Sequence, residues 1–199
     1  MLFESLELRQ LMSVSVHQLP NGGVLVKGTN GNDAVQVGQN GDQLAVQDGT
    51  YDSANGFVPV GDAVVIDSGV KYVVIDLGAG NDFVQFGGQD GAAVIFTGNG
   101  NDLTNVTALG SQSVVLDTAN GDDTTFIDAH DTSSVSAFAG NGSDVGNIIV
   151  DGDAHVYYNA GPGTDETTIV NDGNLGACQV IYSSGAGTDV TFGSNYIGG

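Results

Sequence analysis

Positive charge is nearly missing from this sequence. Its 199 residues include only three basic side chains, Arg9, Lys27 and Lys71, against 24 acids, for a formal net charge of −21. Nucleic acids and anionic membrane surfaces both attract basic proteins, so the composition disfavours both as partners. No nucleic-acid partner is therefore expected.

Cysteine, glutamate and long apolar runs are scarce as well. The single Cys178 excludes an internal disulfide framework and any metal site built from several cysteines. No apolar run approaches the roughly eighteen residues of a membrane-spanning helix, so no membrane span is expected. Glutamate occurs only at positions 4, 7 and 166, so 21 of the 24 acids are aspartate. Aspartate is typical of turns and of short-reach metal ligation.

Glycine is abundant instead, with 32 residues, and 40% of the chain is hydrophobic. That hydrophobic share is too high for a disordered acidic tail. Many turn-forming residues between short apolar segments indicate a core that is interrupted by turns at short intervals.

A repeated corner organises the sequence. Short Gly-rich strings such as GAGND, GNGND and GPGTD each close on an aspartate, and from residue 82 onward these aspartates recur every 20 to 24 residues. The first interval, of 49 residues, is interpreted as two coils with one degenerate corner within residues 49–62. Such a period is the signature of a stacked repeat. The corner aspartates are Asp33, Asp82, Asp102, Asp123, Asp144, Asp165 and Asp189.

Apolar residues fall into columns when the corners are aligned. Positions nine and seven before each aspartate, and four after it, are mostly Val, Ile, Leu, Phe or Tyr. Apolar positions two apart are typical of a strand with one buried face. The sequence therefore predicts an all-β protein, a parallel β-helix or β-roll-like solenoid of about 7–8 coils with 20–21 residues per coil. The solenoid is assigned to residues 21–199; the alternative is a β-sandwich, which would not require like residues at a fixed register.

Stacked corners raise an electrostatic problem. Carboxylates about 4.8 Å apart repel by about 3.5 kcal/mol per adjacent pair at an effective dielectric constant near 20. No Lys or Arg follows Lys71 to relieve this repulsion. Ca²⁺ would do so, because it accepts six to eight carboxylate and carbonyl oxygens. The alternative is a simple turn in which the aspartate bonds to nearby backbone amides.

The segments GAGNDFVQF (78–86) and GNGNDLTNV (98–106) resemble the hemolysin-type calcium-binding nonapeptide GGxGxDxUx of repeats-in-toxin proteins. This resemblance covers Gly28 to about Phe192 and implies calcium held between successive turns. The sequence departs from the family in having one nonapeptide per coil and in placing Ala119, Gly146 and Pro162 at motif positions. The implied ligands are the seven corner aspartates, with carbonyl groups near Gly78, Gly80, Gly98, Gly100, Gly140 and Gly142.

Residues 1–20 form a separate segment. FESLELRQLMS (3–13) is similar to an export-associated N-terminal motif of bacterial extracellular proteins, with a consensus near L-E-P-R-x-L-L-S. It lacks the basic start and continuous apolar stretch of a standard signal peptide. The other interpretation is an apolar cap over the first coil. The two interpretations are compatible, and the export-associated motif predicts a secreted or cell-surface location.

No nucleophile motif accompanies the three histidines, His17, His130 and His155, so no catalytic residue is assigned. A carbohydrate-active β-helix enzyme remains the enzymatic alternative, and a metal-independent self-assembling scaffold is the other. The expected function is a calcium-binding structural or adhesive solenoid. One outward strand face is apolar enough to contact a second copy or a surface partner. Its residues are Val74, Val94, Phe96, Val115, Phe138, Tyr157 and Ile181.

Overall fold

The regular structure consists of β-strands arranged in two sheets. A computed structural model describes residues 13–175, 178–188 and 190–194, and none of these residues is helical. Within this part of the chain no helix is long and apolar enough to cross a membrane. The first sheet contains β1 (Ser15–Gln18), β2 (Gly23–Lys27), β7 (Tyr72–Asp76), β9 (Ala92–Phe96), β11 (Ser113–Asp117), β13 (Ser134–Phe138), β15 (His155–Asn159) and β17 (Gln179–Ser183).

The second sheet lies on the other side of the Gly-Asp corners. Its strands are β3 (Ala34–Asn40), β4 (Gln43–Asp52), β5 (Gly56–Pro59), β6 (Val64–Ile66), β8 (Phe83–Gln89), β10 (Leu103–Leu109), β12 (Thr124–Ala129), β14 (Val145–Gly152), β16 (Glu166–Leu175) and β18 (Val190–Ser194).

Successive coils pair in parallel and in constant register. Val114 of β11 lies opposite Ala93 of β9 and Val135 of β13, and Val106 of β10 lies opposite Phe86 and Ile127. The chain alternates between the sheets, so each corner joins one strand of each sheet. The predicted all-β solenoid is thus confirmed.

The core lies between the sheets and is built from the aligned apolar columns. Ile75, Ile95 and Leu116, one above another in the first sheet, are each 0% exposed. Such columns bury the apolar residues that a single coil could not cover, and this burial is the main stabilising contribution. Other members of the columns that are buried include Val24, Val26, Val37, Val73, Phe86, Ala93, Val106, Val114, Ile127, Val135, Ala137, Ile148, Val156, Tyr158 and Ile169.

Gly146, two residues after the corner aspartate Asp144, lacks a side chain for a packing reason. A Cβ atom at this position would lie 2.7 Å from the ring carbon Cζ of Tyr158. Tyr158 is buried, and its ring stacks on Tyr182 of the next coil at a centroid distance of 6.3 Å. The large ring therefore fills the space that the missing side chain leaves.

The 49-residue interval does not contain a further coil, and this part of the prediction is wrong. Strand β2 pairs directly with β7, and β3 pairs directly with β8, so Asp33 and Asp82 lie in neighbouring coils. Residues 43–66 instead form β4, β5 and β6, which extend the second sheet through antiparallel pairing. A strand that folds back at the sheet edge has the same two-residue apolar period as a coil strand.

Antiparallel strands lie at the start of both sheets. β1 pairs with β2, and β4 pairs with β3. The Ser13 amide and hydroxyl donate to the Asp48 carboxylate at 2.7 and 2.6 Å. These bonds link the residue shortly before β1 to strand β4. The predicted cap or export motif falls mostly on residues 1–12, outside the described residues.

Glycines allow the corners to stack closely. Gly100 has φ +134°, and a Cβ atom there would overlap the carbonyl group of Gly80 in the preceding coil. At Gly87, which lies on a strand, an added Cβ atom would meet no other atom within 4 Å. A positive φ and a backbone overlap both oppose any side chain.

We expect Gly100→Ala to lower the free energy of unfolding by about 3 kcal/mol, a fall of about 10 °C in the melting midpoint. Gly87→Ala is the matched control and should leave the midpoint within about 2 °C. Thermal melts followed by circular dichroism measure both variants. Equal midpoints for the two variants would show that the corners are not closely stacked.

Candidate functional site

The corner aspartates point into the protein. Asp82, Asp102 and Asp123 are 2%, 3% and 1% exposed, and Asp33, Asp144 and Asp165 are equally buried. They form one column along the inner side of the Gly-Asp corners, because each is the residue immediately before a strand of the second sheet. The structure therefore brings six of the seven predicted aspartates together, and Asp189 lies outside the described residues.

From Asp82 to Asp165, one oxygen of each carboxylate in this column joins two coils. The amide of Asp82 donates to Oδ1 of Asp102 at 2.8 Å, and the amide of Asp102 donates to Oδ1 of Asp123 at 2.8 Å. The same bond links Asp33 to Asp82, Asp123 to Asp144 and Asp144 to Asp165, at 2.7–2.9 Å. This ladder joins neighbouring coils, whereas the turn-forming alternative has the aspartate bond to amides of its own corner.

The second oxygen is not satisfied in every coil. In Asp33, Oδ2 accepts the amide of Thr29 at 2.6 Å. In Asp82 and Asp144 the buried Oδ2 has no hydrogen-bond partner. Leu77 and Ala139 stand five residues before these two aspartates, so neither position supplies a hydroxyl group. Buried polar atoms without partners are costly and are rare in folded proteins.

The electrostatics of the column favour neutral carboxyl groups. Burial raises the pKa of Asp82 to about 7, against a lowering by the hydrogen bond from the Asp33 amide. Burial likewise raises the pKa of Asp123 to about 7 and that of Asp144 to about 6. The charges of neighbouring aspartates add to these increases. The pKa of Asp102 is raised for the same main reason, desolvation.

Asparagines beside the column form further ladders, which sequence reasoning missed. The backbone N–H of Asn81 donates to the side-chain Oδ1 of Asn32 at 2.8 Å. The backbone N–H of Asn101 likewise donates to Oδ1 of Asn81 at 2.9 Å. The side chains of Asn99, Asn120 and Asn141 also bond in series. The recurring Asn of the strings TNGND, GAGND and GNGND was the available signal.

The predicted carbonyl ligands are engaged in coil-to-coil contacts. The Gly78 and Gly98 carbonyls accept the amides of Asn99 and Asn120 at 3.1 and 3.3 Å. The carbonyl oxygens of Gly80, Gly100, Gly140 and Gly142 face the backbones of the glycines in the following coil.

The chemistry of the corner fits a hard cation in part. Asp82 and Asp144 present buried oxygen atoms without partners, and oxygen donors are the ligands that Ca²⁺ prefers. Among the described residues, however, no three His, Cys, Asp or Glu side chains are grouped closely enough to hold a metal by themselves. A cation would therefore have to combine column carboxylates with backbone carbonyl groups.

A separate ion-pair cluster surrounds His130. Its Nε2 lies 2.7 Å from Asp128 and its Nδ1 lies 2.8 Å from Asp151, and Asp131 makes no such contact. Burial lowers the pKa of His130, but the hydrogen bonds with Asp151 and Asp128 and the attraction of both carboxylates raise it more, so the net pKa is raised. This half-buried histidine links the ends of two neighbouring coils.

We expect His130→Gln to lower the melting midpoint by about 3 °C at pH values near 5.5 and by less near pH 9. A raised folded-state pKa stabilises the fold fully below the unfolded pKa of about 6.5, and this contribution disappears as the pH rises through the folded pKa. The matched control is His155→Gln, on an exposed residue of β15. An equal loss at both pH values would contradict the ion-pair explanation.

The predicted outward residues do lie on the outer face of the first sheet. Phe96, Val115, Phe138 and Ile181 are 38–50% exposed, and Val74, Val94 and Tyr157 are partly exposed. Phe138 packs against Tyr157 at a ring-centroid distance of 5.7 Å. Cys178 is half-buried against the core, as expected of a small hydrophobic residue.

Together, these features define a parallel β-solenoid with a buried column of corner aspartates. No family model, no curated protein and no solved structure matches this chain. Its function must therefore be argued from its own residues.

Proposed function

We propose that this protein is a secreted or cell-surface structural or adhesive solenoid whose corner column is neutralised by Ca²⁺. The observation that carries the proposal is the pair of buried Oδ2 atoms on Asp82 and Asp144 that have no hydrogen-bond partner. An ionised carboxylate in such a place is unstable unless a proton or a cation balances it.

Protons alone neutralise the column poorly at neutral pH. The pKa values of Asp82 and Asp123, at about 7, leave each group roughly half ionised there. No Lys or Arg follows Lys71, so no lysine or arginine of the later coils can neutralise the column. A divalent cation supplies the missing positive charge.

The residues that would hold calcium are the column aspartates, helped by the corner carbonyl groups. Asp82, Asp102, Asp123, Asp144 and Asp165 contribute the carboxylates, and Asp189 is the corresponding residue of the following corner. Because several carbonyls face the next coil, binding requires small shifts of the corner backbone. Bound Ca²⁺ would couple the closing of the corners to folding.

An extracellular location agrees with this chemistry. The similarity of residues 3–13 to an export-associated motif supports secretion, and calcium is abundant outside cells. The partly apolar outer face of the first sheet supports an adhesive role, with a second copy as the proposed contact. Sedimentation of the protein in calcium tests this contact, and a single monomeric species at all concentrations would contradict it.

Thermal melts test the calcium proposal. Circular dichroism should show a gain in β-structure or in melting midpoint when millimolar Ca²⁺ replaces chelator, and Mg²⁺ should not reproduce it, because Mg²⁺ demands stricter octahedral geometry. Identical melts in chelator and calcium would identify the aspartates as turn formers of a metal-independent scaffold. Activity on an acidic polysaccharide that is lost on Asp82→Asn would favour the enzymatic alternative.

A further inference from the structure

A groove crosses the outer face of the second sheet, away from the corner column. Strands β4, β3, β8 and β10 lie side by side there, and the groove has a volume of about 330 Å³. Two rows of residues line it. One row consists of Gln47, Gln36, Gln85 and Asn105, and the other consists of Ala45, Gly38, Gly87 and Thr107.

The first row presents amide groups in register across four strands. Gln47 is anchored, because its Nε2 donates to the Asp48 and Val60 carbonyls at 2.9 and 3.1 Å. The side chains of Gln36, Gln85 and Asn105 make no hydrogen bond among the described residues, and all three are accessible. These three amides can each donate and accept, and Gln47 adds an acceptor oxygen, so the row offers both functions at intervals of about 4.8 Å.

The second row creates the depth of the groove. A Cβ atom on Gly38 or Gly87 would meet nothing within 4 Å, so these glycines serve no internal packing. Both lie in strands, where glycine weakens the local structure. Their small size therefore has its effect on the outer side, where it leaves room for a ligand.

The charge of the groove selects the ligand. No lining residue is charged, although the protein as a whole carries −21. An anionic ligand would be repelled by the surrounding protein, and a cationic one would favour the acidic surfaces elsewhere. A neutral chain rich in hydroxyl groups matches the amides, since hydroxyls also both donate and accept.

We propose that this groove binds a neutral oligosaccharide. Four strands span about 14 Å, which corresponds to about three pyranose units lying along the amide row. Phe126 follows Asn105 in the same row on β12 and is 44% exposed, so its ring offers an apolar surface for the C–H face of a further unit. This site is independent of the calcium column.

Isothermal titration calorimetry with cellohexaose, xylohexaose, mannohexaose and laminarihexaose tests the proposal on the complete chain. At least one hexasaccharide should bind saturably, and Gly87→Leu, which fills the groove without straining the strand, should weaken it about tenfold or more. Gln85→Leu should weaken it similarly, because it removes a donor and an acceptor.

The matched control is Ser136→Leu, an outward residue of β13 in the first sheet, on the opposite side of the solenoid. It should leave binding unchanged. Failure of all four sugars to bind, or binding that Gly87→Leu does not weaken, would overturn the proposal. So would a dimer in sedimentation that Gly87→Leu dissociates, because the groove would then be occupied by a second copy. Melting curves of each variant confirm that the fold is retained.

Discussion

In chelator, lowering the pH from about 8 to about 5 should raise the melting midpoint of this protein by about 10 °C. The folded-state pKa values of Asp82, Asp123 and Asp144 are raised from 3.8 to about 7, about 7 and about 6. Groups with raised folded pKa values stabilise the fold below their unfolded pKa, and this stabilisation is lost as the pH rises through the folded values. Stability should therefore fall between about pH 4 and about pH 7.

The expected size follows from the linkage between pKa and free energy. One pKa unit corresponds to about 1.4 kcal/mol, so even one effective unit at each of three carboxyls amounts to about 4 kcal/mol. For a chain of this length, 1 kcal/mol shifts the midpoint by about 2–4 °C. Screening by solvent keeps the contribution of each carboxyl below that of its full pKa shift.

A triple variant provides the control for this pH dependence. Asp82→Asn, Asp123→Asn and Asp144→Asn together remove the three titrating groups but keep their shape. The midpoint of this variant should change much less between pH 8 and pH 5, apart from the contribution of His130. A midpoint that falls on acidification of the unmodified chain would contradict the buried-column account.

Asp82→Asn should have effects of opposite sign in chelator and in calcium. In chelator near pH 8, the neutral amide removes an ionised buried group, so the midpoint should rise by about 3–5 °C. In millimolar calcium, the same variant lacks a carboxylate ligand, so the midpoint should fall below that of the unmodified protein by a similar amount. Asp144→Asn should behave in the same way, since its Oδ2 is also buried without a partner.

The matched control is Asp62→Asn, which changes the net charge equally on an exposed residue. Its midpoint should shift by less than about 1 °C in both buffers. Stabilisation by Asp82→Asn in both buffers would argue that protons, and not calcium, neutralise the column. Destabilisation in both would mean that the ionised carboxylate is already well satisfied.

The solenoid could be predicted because stacking imposes a repeat on the sequence. Val114 lies between Ala93 and Val135 in the structure because all three stand nine residues before a corner aspartate. The excursion at residues 43–66 could not be distinguished from a coil, since an antiparallel strand has the same alternation of apolar residues. The one difference in the sequence is the absence of a Gly-Asp corner from this stretch, and a degenerate coil would lack that corner as well.

The candidate site was predictable in position but not in detail. The spacing aligned the aspartates, yet it did not reveal that the carboxylates point inward or that Oδ1 accepts an amide from the neighbouring coil. The residue five positions earlier decides whether hydroxyl groups are near the carboxylate, as with Thr97, or absent, as with Leu77. The groove on the outer face of the second sheet depends on the pairing of β3 with β4, which the sequence did not indicate.

The most direct measurement is the titration of the aspartate carboxyl carbons by ¹³C NMR, in chelator and in calcium. In chelator, Asp82 and Asp123 should titrate near pH 7 and Asp144 near pH 6. In calcium, the same carbons should remain in the ionised form to a much lower pH, because the cation competes with the proton. Titration of all three near pH 4 in chelator, unaltered by calcium, would contradict the account.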